Sequence, residues 1–286
     1  MIVLTGAGGF IGSYVLGYLN RQGRDDIIIY DDLRSEAQQR NVQGKRFFEL
    51  RGSKDSLPDS AEAVIHLGAN SNTLATDWAS ITNTNVDSTR RWYHWSQQQD
   101  IPMIYASSAA ILGNGEGPLN QYAFSKQINE QECRFAAGLR LYNVYGPNEY
   151  HKGRMASTVL HWFYQLKETR CIKIFERSDQ YLRDFVYVDD VARVIDHLTK
   201  DHHTGIFPLG TGQAVSFDTV ADVMIDLLGG EKQYIPMPED LRRQYQTLTC
   251  ADTTKLREIG IDVESFRDIR EGITAYVEYL AESKIY

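Results

Sequence analysis

The chain has 286 residues, of which 42% are hydrophobic and 24% are charged, a composition typical of a soluble globular protein. Its formal net charge of −8 argues against nucleic acid as a partner, because an acidic surface repels a polyanion. The three cysteines, at 133, 171 and 250, form no CxxC pair and no apolar run approaches about 18 residues, so we expect a cytoplasmic protein with reduced thiols, no metal site and no membrane partner.

In the first two thirds of the chain, short apolar runs alternate with helical stretches. Strands are predicted at 2–5, 27–30, 46–50, 63–67, 103–106 and 139–142. Helices are predicted at 10–20, 79–98 and 122–135. Because the first strand begins at residue 2, we expect no signal peptide. The alternation predicts an α/β fold, a doubly wound Rossmann-type parallel sheet with helices on both faces.

The first predicted strand runs directly into a glycine-rich turn and a helix. Gly6, Gly9 and Gly12 have the spacing GxxGxxG, which permits a tight turn and a close approach of a pyrophosphate to the backbone. The N-terminus of the following helix offers N–H groups and the positive end of its dipole to the phosphates. Strand, glycine turn and helix together predict a dinucleotide-binding site.

An acidic pair ends the next predicted strand. A carboxylate at Asp31 or Asp32 is placed to hydrogen-bond the adenosine ribose hydroxyls and to repel a 2′-phosphate. Arg34, Arg40 and Lys45 are near enough in sequence to offset that repulsion, so NADP stays open. The pattern favours NAD, and we expect one tightly bound cofactor per chain.

A YxxxK pair lies on the predicted helix 122–135. Tyr122 and Lys126 share one face of that helix, where the ammonium is expected to lower the pKa of the phenol. Tyr122 is then able to exchange a proton with a substrate hydroxyl while hydride moves to or from the nicotinamide. Ser108 follows the strand at 103–106, at the sheet edge where ligand chemistry collects, and its hydroxyl suits a bond to the reacting oxygen. Together these residues predict reversible hydride chemistry on a bound alcohol.

After residue 143 the regular alternation of strands and helices ends, beginning with a turn cluster at 145–148. Helices are predicted near 155–167, from 190, at 216–228 and at 266–281, with strands near 172–175, 185–188 and 206–209. We expect the stretch 185–212 to return to the main sheet. The predicted division is therefore a dinucleotide-binding domain of 1–146 with 185–212, and a smaller interleaved α/β lobe of 147–184 and 213–286 for the substrate.

These motifs together resemble the extended short-chain dehydrogenase/reductase superfamily, whose members modify nucleotide sugars. The matching stretches are 5–12, 66–69, 85–86, 107–109, 122–126 and 140–147. The resemblance implies further cofactor contacts from Phe10, Ile11, Leu67, Gly68, Ala69 and Asn85, with Lys126 on the nicotinamide ribose.

Within that superfamily the second half is most similar to the ADP-glycero-manno-heptose 6-epimerase family, on stretches 151–157, 183–188, 209–212 and 245–246. The resemblance implies that Tyr122 and Lys152 handle protons on opposite faces of C6″ of the heptose, which passes through a ketone. It also implies a nucleotide-diphosphate sugar, ADP-heptose, as the partner, a homo-oligomer, and a step in lipopolysaccharide biosynthesis. The implied substrate contacts are Ser71, Asn143, Arg154, His161, Phe175, Glu176, Arg177, Ser178, Arg183 and Tyr245.

Three features depart from that family. Only residues 109–121 separate Ser108 from Tyr122, where relatives carry a longer loop over the sugar. Arg154 replaces the serine that normally follows HKG, and Gln38 stands where a lysine for a 2′-phosphate is expected. The sugar therefore stays open, and the alternatives are an NAD(P)-dependent 4-epimerase or reductase on another nucleotide sugar, or a non-catalytic dinucleotide sensor.

Overall fold

The computed structural model describes residues 1–113, 115, 117–239 and 246–282. The strands within these residues are β1 (Ile2–Thr5), β2 (Ile27–Tyr30), β3 (Glu49–Arg51), β4 (Ala63–His66), β5 (Met103–Ser108), β6 (Ala137–Leu141), β7 (Asn143–Tyr145), β8 (Cys171–Phe175), β9 (Leu182–Tyr187), β10 (Gly205–Leu209), β11 (Ala214–Ser216), β12 (Glu231–Ile235) and β13 (Leu248–Thr249). The α-helices are α1 (Phe10–Arg21), α2 (Glu36–Val42), α3 (Trp78–Ile81), α4 (Ser88–Gln99), α5 (Gln121–Glu132), α6 (Thr158–Thr169), α7 (Val188–Leu198), α8 (Phe217–Leu228), α9 (Thr254–Glu258) and α10 (Ile269–Glu282). A π-helical turn at Thr82–Asp87 joins α3 to α4, and 3₁₀ turns lie at Ala109–Leu112, Tyr150–Met155, Ser178–Gln180 and Val263–Ser265.

Within the described residues, the larger sheet has seven strands in the order β10-β6-β5-β4-β1-β2-β3, and every neighbouring pair is parallel. Strands β1, β2 and β4 are buried along their whole length, because each is a short and mainly apolar run covered on both faces. The strand order reverses between β1 and β4, which leaves a crevice beyond their carboxyl ends. The prediction of a doubly wound α/β sheet is confirmed.

Helices cover both faces of this sheet. On one face α1 packs against β1 through Val15, Leu16 and Leu19, and α7 packs against α1. On the other face the ring of Trp92, on α4, meets the ring of Tyr30 edge to face with centroids 4.8 Å apart. Burying an aliphatic or aromatic side chain of this size contributes roughly 1.5–3 kcal/mol, so these two clusters fix the helices that border the crevice.

A second, smaller layer of strands follows in the chain. Among the described residues, β9 pairs with β7, β11 and β13 in one sheet, and β8 pairs with β12 in another. Helices α6, α8 and α10 pack on these strands and share a separate apolar core. The chain is thus a Rossmann-type sheet with a smaller α/β layer built on its second half.

The prediction that the strand near 185–188 returns to the main sheet is wrong, because β9 belongs to the second layer. The reason lies at Asp184, whose buried carboxylate accepts hydrogen bonds from the N–H groups of 211–212 and of Ala251 at 2.8–3.0 Å. These bonds draw both flanking loops to β9. The strand predicted at 206–209 does join the main sheet, as β10 beside β6.

The predicted helices are present with shifted ends. The helix predicted at 79–98 is interrupted by the π-helical turn Thr82–Asp87. The helix predicted near 155–167 begins later, because the Ser157 hydroxyl accepts an N–H of its first turn and caps α6. Helix α8 follows its predicted course and is capped in the same way.

No α-helix of the described residues has the length and apolarity needed to cross a membrane. The cysteines at 133, 171 and 250 are free thiols. In the same part of the chain, no group of three or more histidine, cysteine, aspartate or glutamate side chains is placed to hold a metal ion.

Candidate active site

The glycine-rich turn between β1 and α1 has the geometry of a phosphate site. Gly6 has a φ of +71°, and a Cβ there would lie 2.7 Å from the backbone nitrogen of Gly68. A Cβ on Gly12 would lie 2.1 Å from the carbonyl oxygen of Gly6, so α1 approaches β1 this closely only with glycine in place. Helix α1 begins at Phe10, and no side chain of the described residues caps its first turn. Its N–H groups and the positive end of its dipole therefore suit an anion.

The acidic pair after β2 supports this turn. Asp31 accepts a hydrogen bond from the N–H of Gly8 at 2.9 Å. Asp32 accepts the N–H of Ser53 at 2.8 Å and pairs with Arg34 at 2.6 Å, and these partners hold the pKa of Asp32 below its ordinary value. Asp31 thus fixes the glycine turn from the side of β2, while Arg34 is engaged by a carboxylate.

Helix α5 carries the YxxxK pair. Lys126 is buried, and its ammonium donates to the carbonyl oxygen of Ala106 at 2.8 Å. The same ammonium lies 5.8 Å from the ring centroid of Tyr122. Burial lowers the pKa of Lys126 to about 8. The spacing predicted from the sequence therefore brings both side chains to one place.

The pKa of Tyr122 differs from the prediction. Burial raises this pKa, and a hydrogen bond with the Ser108 side chain opposes the rise. The expected lowering by Lys126 is wrong, because the ammonium is directed at the Ala106 carbonyl and not at the phenolic oxygen. Ser108 also accepts the N–H of Ala110 at 3.2 Å, which fixes its hydroxyl at the end of β5 beside the phenol.

Behind the sheet edge, a buried chain of hydrogen bonds joins β1, β4 and α4. His66 is 3% exposed and bonds the hydroxyl of Thr5 at 2.8 Å and that of Thr89 at 3.1 Å. Burial lowers the pKa of His66 to about 3, so the ring is neutral at pH 7. The Thr5 hydroxyl also accepts the N–H of Gly68 at 3.0 Å. This chain fixes the loop after β4, which borders the glycine turn.

Asn85 belongs to this buried network. Its carbonyl oxygen accepts the N–H of Asn70 at 2.7 Å, and its amide donates to Ser125 at 3.0 Å. The side chain has no exposed surface. The predicted contact of Asn85 with the cofactor is therefore not supported by its position. Asn85 instead joins the loop after β4 to α5, the helix of Tyr122 and Lys126.

Lys152 lies on the 3₁₀ turn Tyr150–Met155, and its ammonium is 5.5 Å from the ring centroid of Phe10. Burial lowers the pKa of Lys152, and the carboxylate of Glu149 acts in the opposite direction. Glu149 is buried and accepts the N–H of Ser157 at 2.5 Å and its hydroxyl at 2.6 Å. These bonds close the segment into a loop that fixes the backbone on either side of Lys152.

One cleft of about 790 Å³ collects most of these features, a volume that suits a small-molecule ligand. The predicted site residues on its wall are Gly6, Gly9, Phe10, Ile11, Gly12, Leu67, Ala69, Ser71, Ser108, Tyr122, Lys126, Asn143, Lys152 and Arg183. Those away from its wall are Asp31, Asp32, Gly68, Asn85, Arg154, His161, Phe175, Glu176, Arg177 and Ser178. Tyr245 lies outside the described residues.

Several predicted substrate contacts lie in the second layer, away from the wall of the cleft. The Arg177 guanidinium donates to the side-chain oxygen of Gln180 at 2.8 Å, and the Ser178 hydroxyl bonds Asp218 at 3.2 Å. His161 lies on α6. The Arg177 and Ser178 side chains form contacts within their own layer, and His161 is not on the wall of the cleft, so the structure does not group these residues with Tyr122 and Lys152.

Arg183 reaches the wall of the cleft from β9. It is 7% exposed, donates to the carbonyl oxygen of Leu182 at 2.8 Å, and lies 5.6 Å from the ring centroid of Phe217. A guanidinium held in this way presents a planar fork that matches two phosphate oxygens. The second layer therefore contributes a fixed cation to the cleft.

Sequence reasoning missed other residues at the cleft. Asn70, Thr73 and Met155 lie on its wall. Asn41 and Glu149 are buried beside it and organise the adjacent backbone. The one sequence signal for such residues is a polar side chain within a stretch that packs against a sheet, because a buried polar group needs hydrogen-bond partners. The sequence does not identify those partners.

The comparisons with known proteins agree along nearly the whole chain. Residues 2–210 match the NAD dependent epimerase/dehydratase family. The ADP-L-glycero-D-manno-heptose-6-epimerase of Alkalilimnicola ehrlichii is 39% identical, over 99% of this chain and 98% of that protein. The protein of the same name from Brachyspira hyodysenteriae is 37% identical, over 100% of this chain and 99% of that protein. The crystal structure of the Helicobacter pylori ADP-L-glycero-D-manno-heptose-6-epimerase is similar with a TM-score of 0.84 at 25% identity, covering 99% of this chain and 96% of that one.

Proposed function

This chain belongs to the NAD dependent epimerase/dehydratase family, and from that premise we propose that it is an ADP-glycero-manno-heptose 6-epimerase. Full-length relatives carry that name, and NAD(P) is the cofactor of the family. In this proposal the substrate is ADP-heptose, and the configuration at C6″ is inverted. The carbon passes through a ketone and is reduced again from its other face.

The observation that carries the proposal is the pair Tyr122 and Lys152. Both line one cleft, but they lie on different elements, α5 and the 3₁₀ turn Tyr150–Met155. Inverting a secondary alcohol through a ketone requires proton handling on both faces of the carbon, and one tyrosine does not easily serve both. The glycine turn and Lys126 would hold NAD(P), which would supply a reversible acceptor for the hydride of C6″.

The two side chains suit opposite directions of proton transfer. Burial keeps Tyr122 protonated by raising its pKa, so this residue is suited to donate a proton to the ketone oxygen. Burial lowers the pKa of Lys152, so this residue is suited to accept the hydroxyl proton. Ser108 bonds the phenol and, in this proposal, the reacting oxygen, while Lys126 holds the nicotinamide ribose.

We propose NAD over NADP. The Asp31 carboxylate beside the glycine turn repels a 2′-phosphate. Arg34 is already paired with Asp32, and Gln38 stands on the wall of the cleft in place of a lysine. One cofactor is expected per chain. Dissociation constants for NAD and NADP, measured by calorimetry, test this preference, and a lower value for NADP overturns it.

We assign the nucleotide sugar to the side of the cleft formed by the second layer. Arg183 is placed for the diphosphate, and Asn143 of β7 lies on the same wall. The predicted domain division, corrected by assigning β9 to the substrate lobe, and a homo-oligomeric assembly remain parts of this proposal. Light scattering on the purified protein gives the number of chains per particle, and a monomer contradicts the assembly.

Proton NMR of the protein mixed with ADP-D-glycero-D-manno-heptose tests the activity. The L-glycero epimer should appear, and Lys152→Ala or Tyr122→Phe should lower its rate of formation at least about 100-fold. Lys173→Ala is the matched control, since Lys173 is an exposed lysine on β8. Unchanged activity in Tyr122→Phe overturns the catalytic assignment. If an epimer forms only from a different nucleotide sugar, the chain is an epimerase but its substrate is not ADP-heptose. The short segment 109–121 makes a different sugar the first alternative to test.

A further inference from the structure

Asn41, near the end of α2, is a buried amide between two segments of the active site. It is 2% exposed, and its side-chain nitrogen donates to the carbonyl oxygen of Gly8 at 2.9 Å. The same nitrogen lies 3.3 Å from the carbonyl oxygen of Asn148 and 3.3 Å from Nδ1 of His151. One side chain therefore touches the glycine turn and the segment that precedes Lys152.

On the side of the glycine turn, Gly8 is held through both of its backbone groups. Its N–H donates to Asp31 at 2.9 Å, and its carbonyl oxygen accepts from Asn41. The backbone carbonyl of Asn41 in turn accepts a hydrogen bond from Lys45. Asn41, near the end of α2, thereby fixes the peptide group between Gly8 and Gly9, and Asp31 fixes the one between Ala7 and Gly8.

On the side of Lys152, Asn148 adopts a φ of +78°, a left-handed conformation that asparagine tolerates better than most residues. Nδ1 of His151 lies 3.0 Å from the Asn148 carbonyl oxygen and donates to it, since that oxygen is only an acceptor. The Asn41 amide adds a second donor to the same carbonyl. The hydroxyl of Tyr150 also donates to the Ala37 carbonyl oxygen at 3.3 Å, so the contact with α2 extends along the turn.

We infer that Asn41 is a positioning residue that holds the segment carrying Lys152 against the glycine turn, so that the cofactor site and the second proton-handling residue keep one fixed geometry. The importance of Asn41 for the reaction rests on the proposed function of Lys152. The effect of Asn41 on the backbone is independent of that function. Replacing the amide by a carboxylate, Asn41→Asp, keeps the shape and removes the donors, which leaves an acceptor facing the two carbonyls.

Hydrogen–deuterium exchange of the full chain with saturating NAD tests the backbone effect. Residues 148–157 should exchange about 10-fold faster in Asn41→Ala and Asn41→Asp, the size expected for lost buried hydrogen bonds, while β5 and β6 keep their protection. Gln43→Ala is the matched control, an exposed amide that follows the same helix. Unchanged exchange at 148–157 in both variants, or equal acceleration along the whole chain, overturns the inference.

A double-mutant cycle tests the link to Lys152. If Asn41 acts through Lys152, Asn41→Ala should lower kcat about 10-fold in the otherwise unchanged chain and less than about 2-fold when combined with Lys152→Ala. Additive losses overturn the link. If the unmodified chain turns over no ADP-heptose, the proposed function fails, and the exchange result still decides whether Asn41 holds the segment.

Discussion

Replacing Lys126 with methionine should abolish catalysis and yet stabilise the protein. Lys126 is 3% exposed, and its pKa falls from 10.5 to about 8 because burial disfavours the ammonium. The unfolded chain therefore binds this proton more tightly than the folded one does, and the charged lysine lowers stability at neutral pH. Methionine has a similar length and no charge, so the variant avoids this cost.

The size of the effect follows from two terms. A change from 10.5 to about 8 corresponds to roughly 3 kcal/mol at pH 7, where the lysine is charged in both states. Methionine also removes the donor to the Ala106 carbonyl oxygen, and leaving that group unpaired costs roughly 1–3 kcal/mol. The net stabilisation at pH 7 is therefore about 0–2 kcal/mol. Between about pH 8 and 10.5 the unmodified protein should gain stability as pH rises, and the advantage of the variant should disappear.

Urea unfolding at pH 7 and pH 10, followed by tryptophan fluorescence, measures both terms. The unfolding free energy of the variant minus that of the parent should be lower at pH 10 than at pH 7 by roughly 2 kcal/mol. All other titrating groups are shared, so the difference isolates Lys126. Lys173→Met is the control, because it makes the same substitution at a lysine that is exposed on β8. A difference that does not change with pH for Lys126→Met refutes the burial argument.

Three further changes are predictable from the same contacts. Gly12→Ala should remove cofactor binding, because its Cβ would lie 2.1 Å from the Gly6 carbonyl oxygen; a fluorescence titration with NAD that still saturates normally contradicts this. Asp184→Asn should lower the unfolding free energy by about 2–4 kcal/mol, since an amide nitrogen replaces one oxygen of a buried carboxylate that accepts several N–H groups; an unchanged urea midpoint contradicts this. His66→Gln should lose less stability than the parent as pH falls from about 6.5 to about 3, because His66 has a lowered pKa and the unfolded chain takes up its proton first; parallel acid titrations contradict this.

The features that the sequence predicted well are those with local causes. The bounds of β1 and β2 agree with prediction, because each strand is a short apolar run ended by a turn. The glycine turn and the pair Tyr122 and Lys126 were also predictable, since the spacing of glycines and the pitch of a helix are local properties. Their common position on the wall of one cleft followed from the fold class.

The features that the sequence did not reveal depend on partners far along the chain. The π-helical turn Thr82–Asp87 interrupts a regular helical pattern, and the network in which Asn85 bonds Asn70 and Ser125 joins three distant segments. Strand β9 reads like a strand of the main sheet, but the bonds of Asp184 determine its layer. The direction of the Lys126 ammonium, towards a carbonyl and away from the phenol, is likewise set by tertiary packing.

The main sheet also has a consequence for how the chain folds during its synthesis. Strand β10 is the neighbour of β6, and Leu256, Ile261 and Phe266 are buried in the same apolar cluster as β1. When β1 to β6 have left the ribosome, the edge of β6 still lacks its partner, and one face of the sheet still lacks part of its cover. An open parallel edge of this kind is prone to pair with other chains, so the nascent protein depends on rapid delivery of its last third or on chaperones that cover the edge. A fragment ending before residue 205 should therefore aggregate on expression, and the cofactor-binding half is unsuited to transfer as a separate module into fusion proteins.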